Sequence, residues 1–424
     1  MNIIGSVKED LAVEKRIAIT PESIKKFTDL NISVFLEKNY GEHLGITDED
    51  YINKGASLES SAKEVLEKSE IILKVNCPSN DEINSIKNKS ILIGQFDPIL
   101  NKDMINKMIK KNVKIFSLIL LPRITRAQSM DVLSSQGNLA GYRAVIESVE
   151  EFGKVIPMMM TAAGTITPAK VMVIGAGIAG LQAIATAKRL GAIVSATDVR
   201  TVTKEQVESL GGKFLAVEGS ENLETAGGYA KEAGEDFKRK QSELLKSEVK
   251  KNDIIICTAL VPGKKAPRII SEEMVKSMKP GSIIYDLAVS QGGNSAFSES
   301  DKVNIINGVK IMGSKNILNN LALTASNLYA KNLFNFVNNL YSKEKKDIYI
   351  NKEDEIILEN SLIGLLENSS SLISMKLPEY SDLIDEALKD IKNAKKEILI
   401  RGWNEEIDQF CQVLKEKEKD GLIL

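Results

Sequence analysis

Polar and apolar positions in the first third of the chain fall into two alternating patterns. The short apolar runs "ISVFLEKN", "EIILKVN", "SILIGQF" and "KIFSLIL" predict buried strands. Helix-like stretches lie between them. In "TPESIKKFTDL", Thr20 stands as a cap before Pro21, and proline loses nothing at a first helical position. Such alternation predicts βαβ units and a largely parallel sheet. A long helix is expected in "SSQGNLAGYRAVIESVEEFG", closed by Gly153. A hairpin follows, with "MMMT" and "TITPA" flanking Ala162, Ala163 and Gly164. Its three methionines suit either core packing or an adaptable oligomer contact. A second block repeats the pattern, with strands expected in "KVMVIGAG", "AIVSATDV", "KFLAVE", "DIIICTAL", "SIIYDLAV" and "VKIMGS". From Leu318 a helical pattern is expected to return to the first domain. After Pro378 two amphipathic helices are expected; in the second, Ile407, Phe410, Cys411 and Leu414 share one face.

The fold class that follows is α/β, with two Rossmann-like domains, largely parallel sheets and a helical C-terminal extension. The expected division is residues 1–132, 133–317, 318–375 (returning to the first domain) and 376–424. With 424 residues and 43% hydrophobic positions the chain can build real cores. The formal charge of −2 offers no basic face for nucleic acid. Cys77, Cys257 and Cys411 lack CxxC spacing, as expected of reduced structural thiols. The first residues have no signal profile, and no apolar run approaches the ~20 residues of a membrane-spanning helix, so a soluble chain is expected. There is one histidine, His43, and no metal-ligand cluster in the sequence.

Chemistry enters at "VIGAGIAG". Gly175, Gly177 and Gly180 have GxGxxG spacing, directly after an apolar run and at the start of an Ala-rich helix. The first glycine permits the tight turn, the second lets backbone approach a pyrophosphate, and the third allows close helix–strand packing. Ala176 and Ile178 lie between them, at a helix start whose N–H groups and dipole suit phosphate. Asp198 ends the next strand, about 20 residues on, where an acid bonds ribose hydroxyls. It favours NAD over NADP, because a carboxylate repels a 2′-phosphate; Arg200 nearby weakens that preference.

The second polar concentration is "RITRAQSMD", Arg123 to Asp131. Together with "TAAGTITPAKVMVIGAGIAGLQAIATAKRLGAIV", "ATDVRTVTKEQVESLGGKF" and "ETAGGYAKE", it closely resembles the NAD(H)-binding component of proton-translocating nicotinamide nucleotide transhydrogenases, over roughly residues 1–365. "EKRIAITPESIKKF" and "ILKVNCPS" are shared with the related alanine dehydrogenases. The resemblance implies that Arg123, Gln128 and Asp131 lie on a loop over the nicotinamide, with Arg126 and Ser134 beside it. It also implies nucleotide contacts from Val199, Arg200 and Leu260, and a mobile loop with Gly228 and Tyr229. The hairpin matches an arm exchanged in a homodimer. NADP(H) is implied on a partner component, with further membrane proton-channel subunits. The chain is then expected on the cytoplasmic side of the inner membrane, held there peripherally by its partners. Departures from the family pattern are Ser290 before "QGGN", Ser314–Lys315–Asn316 after "VKIMG", and Thr324.

Hydride transfer between two nicotinamides leaves no proton to remove, so it needs alignment and exclusion of water rather than a general base. Gln128 is suited to bond the carboxamide, and Arg123 with Asp131 to lock the loop. By the residues alone, Ser129 and Asp131 also read as a simple helix cap. The alternatives are an amino-acid dehydrogenase and a nucleotide-binding relative with reduced turnover. Arg16 and Lys74 match carboxylate-binding positions of the former. Gln95 and Ser290, however, stand near or at the positions where that family carries its histidine and aspartate.

Overall fold

The computed structural model describes residues 2–98, 100–217, 234–260, 265–351 and 353–360. The expected extension, residues 376–424, lies outside them. Two mostly parallel sheets dominate. The first contains β1 (Ile3–Ser6), β2 (Ser33–Glu37), β3 (Ala56–Glu59), β4 (Ile71–Leu73), β5 (Ile91–Gly94) and β6 (Lys114–Ser117), all parallel, in the order β3-β2-β1-β4-β5-β6. The apolar pattern does not reveal β1 or β3. The first has only four residues; the second, "ASLE", is a half-polar edge strand without a readable period. Pro21 does open its helix, Pro21–Thr28, and the Thr20 N–H donates to Ser23 Oγ at 3.0 Å.

The hairpin forms as β7 (Met159–Thr161) and β8 (Gly164–Ile166), exposed along its length, with Met160 81% accessible. The second sheet contains β9 (Lys170–Ile174), β10 (Ile193–Thr197), β11 (Lys213–Phe214), β12 (Ile254–Cys257), β13 (Ile283–Asp286), β14 (Asn304–Ile306) and β15 (Val309–Met312). Its order is β11-β10-β9-β12-β13-β15-β14. Only β14 runs antiparallel, paired to β15 through Asn307 and Gly308, both at positive φ. An Asn-Gly pair between apolar residues is a strong hairpin signal, and it is legible at this position. A small pair, β16 (Tyr341–Ser342) and β17 (Asp347–Ile348), follows the return helix.

In open sheets of this type, ligands bind beyond the strand C-termini where strand order reverses. The first sheet reverses between β1 and β4, and this crevice is filled by the chain's own charges. Arg16 clamps Glu14 through Nε at 2.8 Å and Nη2 at 2.7 Å, and its Nη1 reaches Gln95 and Gln136. Lys74 Nζ lies 2.6 Å from Glu82 and 3.6 Å from Glu9. Burial works against the Lys74 charge, and the two carboxylates overcome it. Glu9, with its side chain only 6% exposed, is pushed up by burial to about 7, against the pull of Lys74 and the Val75 N–H.

Two long helices join the halves. Val132–Glu151 places Val132 in the first core and Ala144 and Val145 in the second. Ala322–Leu340 buries Tyr329, Leu333 and Phe336 in the first core and Ala325 in the second. Where Val132–Glu151 crosses Ile178–Arg189, a Cβ on Gly141 would lie 2.0 Å from the Ala179 carbonyl oxygen.

Two outcomes follow for stability. Gly141→Ala gains about 1 kcal/mol of helix propensity in isolation, but the clash is with backbone and cannot be relieved by a rotamer change. We expect a net loss of about 1–3 kcal/mol in urea unfolding; an unchanged or raised midpoint would refute so tight a crossing. Glu9 has a second consequence. Between its ordinary 4.5 and about 7, the folded state keeps a proton that the unfolded state has released. Stability therefore falls as pH rises through that window, by up to about 3 kcal/mol, and Glu9→Gln should flatten the slope. Parallel pH profiles for the two proteins would contradict the assignment.

Candidate functional site

The second sheet reverses between β9 and β12, and the glycine turn sits at that point. Gly175 has φ +93°, and a Cβ there would approach Thr258 Oγ1 at 2.6 Å. A Cβ on Gly180 would lie 1.8 Å from the Gly175 carbonyl oxygen. These two glycines are required by packing. Gly177 is not: among the described residues a Cβ there would meet only Arg200 Nη2, at 3.7 Å. Its missing side chain leaves the backbone bare at the start of the helix Ile178–Arg189, whose first N–H groups have no intrahelical partner. That cradle fits the pyrophosphate of NAD(H). Ala176 is buried at the turn, while Ile178 is half-buried at the first helical position.

Asp198 caps this turn from β10, its Oδ2 accepting from the Ala176 N–H at 2.6 Å. Arg200 grips the same carboxylate with Nε at 2.9 Å, Nη2 at 2.8 Å and its backbone N–H at 2.8 Å. Val199, between them, is half-buried. Opposite, Thr258 Oγ1 donates to the Gly175 carbonyl at 2.8 Å, tying the β12 terminus to the turn. Buried Asn294 receives the Ala259 N–H at 3.1 Å and donates to the carbonyls of Ala259 and Pro267 at 2.8 and 2.9 Å. It thereby fixes the backbone that leads to exposed Leu260. Asp286 in turn accepts from Ser295 N and Ser298 Oγ, holding the segment that carries Asn294. Sequence reasoning missed Thr258, Asn294 and Asp286. The "QGGN" turn, with Gly292 and Gly293 both at positive φ, was the available signal.

The loop Arg123–Asp131 lies at the head of Val132–Glu151. Asp131 caps that helix, accepting from Ser134 N at 2.9 Å and from Ser134 Oγ. The cap read from the residues alone is thus present, with Ser134 rather than Ser129 as its partner. Ser129 contributes its carbonyl, which accepts from Asn332 and Asn335 at 2.9 Å each. Arg123 and Gln128 are exposed, and Ala127 and Met130 anchor the loop in the first core. Arg126, expected beside the nicotinamide, is paired with Asp354 and bonds Asn339. That pair turns its guanidinium toward the following helix, Glu355–Asn360. Six residues, ~9 Å of helix, separate Asp131 from Gly137, beside Ile178. One rigid element therefore carries the loop to the glycine turn.

The departures near the exit of the second sheet are built in. Asp301 accepts from Ser314 Oγ at 3.2 Å and from Lys315 N at 2.9 Å. Asn316 reaches across to Glu14 at 3.0 Å. Ser290 and Thr324 are exposed. Gly228 and Tyr229 lie outside the described residues, as does Cys411. Cys77 and Cys257 are free, and burial pushes the Cys77 thiol up to about 12. Among the described residues no group of side chains could hold a metal ion, and no helix is long and apolar enough to cross a membrane. His43 is exposed and bonds the Lys15 carbonyl at 2.7 Å.

Comparisons with known proteins converge on one family. Residues 5–140 match the N-terminal domain of alanine dehydrogenase/PNT, and residues 144–364 match its C-terminal domain. The chain is 49% identical over 361 residues to an NAD(P) transhydrogenase subunit alpha polypeptide of Rhodospirillum rubrum, covering 84% of this chain and 94% of that protein. The crystal structure of transhydrogenase from Sinorhizobium meliloti superposes with a TM-score of 0.77 at 44% identity, covering 85% of this chain and 98% of the other. Alanine dehydrogenase of Methanococcus maripaludis is more distant, 31% identical over 301 residues, 69% of this chain and 73% of that protein. The chain belongs to the alanine dehydrogenase/PNT family.

Proposed function

We infer that this chain is the NAD(H)-binding component of an NAD(P) transhydrogenase, exchanging hydride between NADH and NADP⁺ held by a partner component. The observation that carries this reading is the contrast between the two crevices. At the crevice of the second sheet the glycine turn and the start of Ile178–Arg189 present backbone donors, and among the described residues only Arg200 Nη2, at 3.7 Å, comes near a Cβ position on Gly177. The crevice of the first sheet holds Arg16 and Lys74, each already paired with the chain's own carboxylates. An amino-acid dehydrogenase must offer such cations to its substrate's carboxylate. Here Glu14 and Glu82 occupy them, and no histidine stands at Gln95.

Bound NADH supplies the hydride. The chain's residues then bind and align: the glycine turn and helix start take the pyrophosphate, Asp198 the adenosine ribose, and exposed Gln128 the carboxamide of the nicotinamide. Arg123 and Asp131 fix the loop that carries Gln128, and Leu260 borders the ring. A homodimer formed through the exposed methionine hairpin belongs to the same reading, since Met158, Met159 and Met160 present an apolar strip. So do membrane proton-channel subunits that hold the chain peripherally at the cytoplasmic face of the inner membrane.

Two measurements test it. Gln128→Asn keeps the amide but withdraws it by one methylene, about 1 Å, a displacement that can cost on the order of 10²-fold in rate. Stopped-flow transfer in the complex reconstituted with the NADP-binding component should slow by that order while NADH affinity stays within a few-fold. An unchanged transfer rate would remove Gln128 from ring alignment. The isolated chain, given NADH with pyruvate and ammonia, should consume no NADH; steady consumption would favour the dehydrogenase reading instead.

A further inference from the structure

Residues 316–321 leave the second sheet and enter the return helix, and their side chains are tied to both halves. Asn319 grips the first half at two points. Its Oδ1 accepts from the Lys15 N–H at 2.9 Å, and its Nδ2 donates to the Val13 carbonyl at 3.0 Å. One amide that meets a carbonyl and the N–H two residues on acts as a residue of a parallel strand would, and fixes that backbone in place and direction. Asn316 adds contacts to the Val13 carbonyl at 3.3 Å and to Glu14 at 3.0 Å. Asn320 turns the other way. Its Nδ2 donates to Glu147 at 2.6 Å, and Glu147 also accepts from Tyr285 of β13. Arg16, next to Lys15, donates to Gln136 at 3.0 Å, and Gln136 adjoins Gly137, which lies beside Ile178.

We propose that Asn319, with Asn320 beside it, is a positioning residue that clamps the two halves at one aperture for hydride transfer. A single helix such as Val132–Glu151 fixes the separation of its ends but not rotation about its own axis. A second tie between the halves removes that freedom. Hinge rotation is absorbed by a few residues at the ends of elements, and residues 316–321 are of that kind. Here they cannot turn without breaking bonds to Val13, Lys15 and Glu147 together. The Asn319 bonds are solvent-exposed, so they contribute little to stability. What they contribute is geometry, because the loop Arg123–Asp131 is anchored in the first core and the glycine turn belongs to the second. The proposal rests on the transhydrogenase reading above.

The test uses the full chain as wild type, Asn319→Ala, Asn320→Ala and the double variant. Amide hydrogen exchange at Lys15 should quicken at least tenfold in Asn319→Ala. Stopped-flow hydride transfer, in the complex reconstituted with the NADP-binding component, should slow at least tenfold in each single variant. NADH affinity, followed by fluorescence, should stay within threefold. Because both substitutions cut one clamp, their losses should not multiply in the double variant. Asn320→Ala severs the tie from the opposite side, so it carries the test if Asn319→Ala does not fold. An unchanged transfer rate would overturn the proposal, as would unchanged exchange at Lys15. A fall in NADH affinity as large as the fall in rate would also overturn it, by locating the damage in the cofactor site. A wild-type complex that transfers no hydride would instead sink the transhydrogenase reading, and exchange at Lys15 would still decide whether the clamp exists.

Discussion

The close approach of two helices at Gly141 governs how the rest of the molecule is assembled. With the Ala179 carbonyl where a side chain would be, Val132–Glu151 lies directly on the helix that starts at the glycine turn. Glycine in a helix interior costs about 0.5–1 kcal/mol relative to alanine. The cost is offset because the contact fixes the far end of the same helix, where Asp131 and the Arg123–Asp131 loop begin. Glu147 completes the hold further along, accepting from Arg143, Tyr285 and Asn320. The loop and the dinucleotide crevice thus belong to different cores yet share one rigid strut.

That strut explains why the chemistry can do without a proton carrier. A reaction between two rings depends on alignment, and alignment comes from elements that cannot shift independently. The loop is tied to the return helix through Ser129 with Asn332 and Asn335, and to the chain beyond it through Arg126 with Asp354. Gln128 and Arg123 are exposed on this frame. The only histidine is occupied elsewhere, on the Lys15 carbonyl.

How much of this was legible in the sequence depended on the range of each interaction. Long apolar runs and the GxGxxG spacing are local, and they placed most strands and the turn. β1 was lost because its two isoleucines are followed at once by Gly5 and Ser6 and form no apolar run, and β14 because it is only Asn304, Ile305 and Ile306, ending at its Asn-Gly turn. Asn294, Thr258 and Gly141 act on backbone 35, 83 and 38 positions away, as in the Asn294–Ala259 and Thr258–Gly175 bonds. A single sequence gives no periodicity for such contacts. Arg126 is the sharpest case: the resemblance implies a place beside the nicotinamide, and only the fold shows its pairing with Asp354, 228 residues on.

The buried charges share a further logic. Glu14 with Arg16, Glu82 with Lys74 and Asp198 with Arg200 all satisfy a carboxylate from within the chain. The first two cations have side chains 7% and 2% exposed and are enclosed by core residues, so breaking either pair would strand a charge at a cost of about 3–5 kcal/mol. Arg200, at 14% exposure, grips the same Asp198 that accepts from the Ala176 N–H, so this pair instead stiffens the glycine turn.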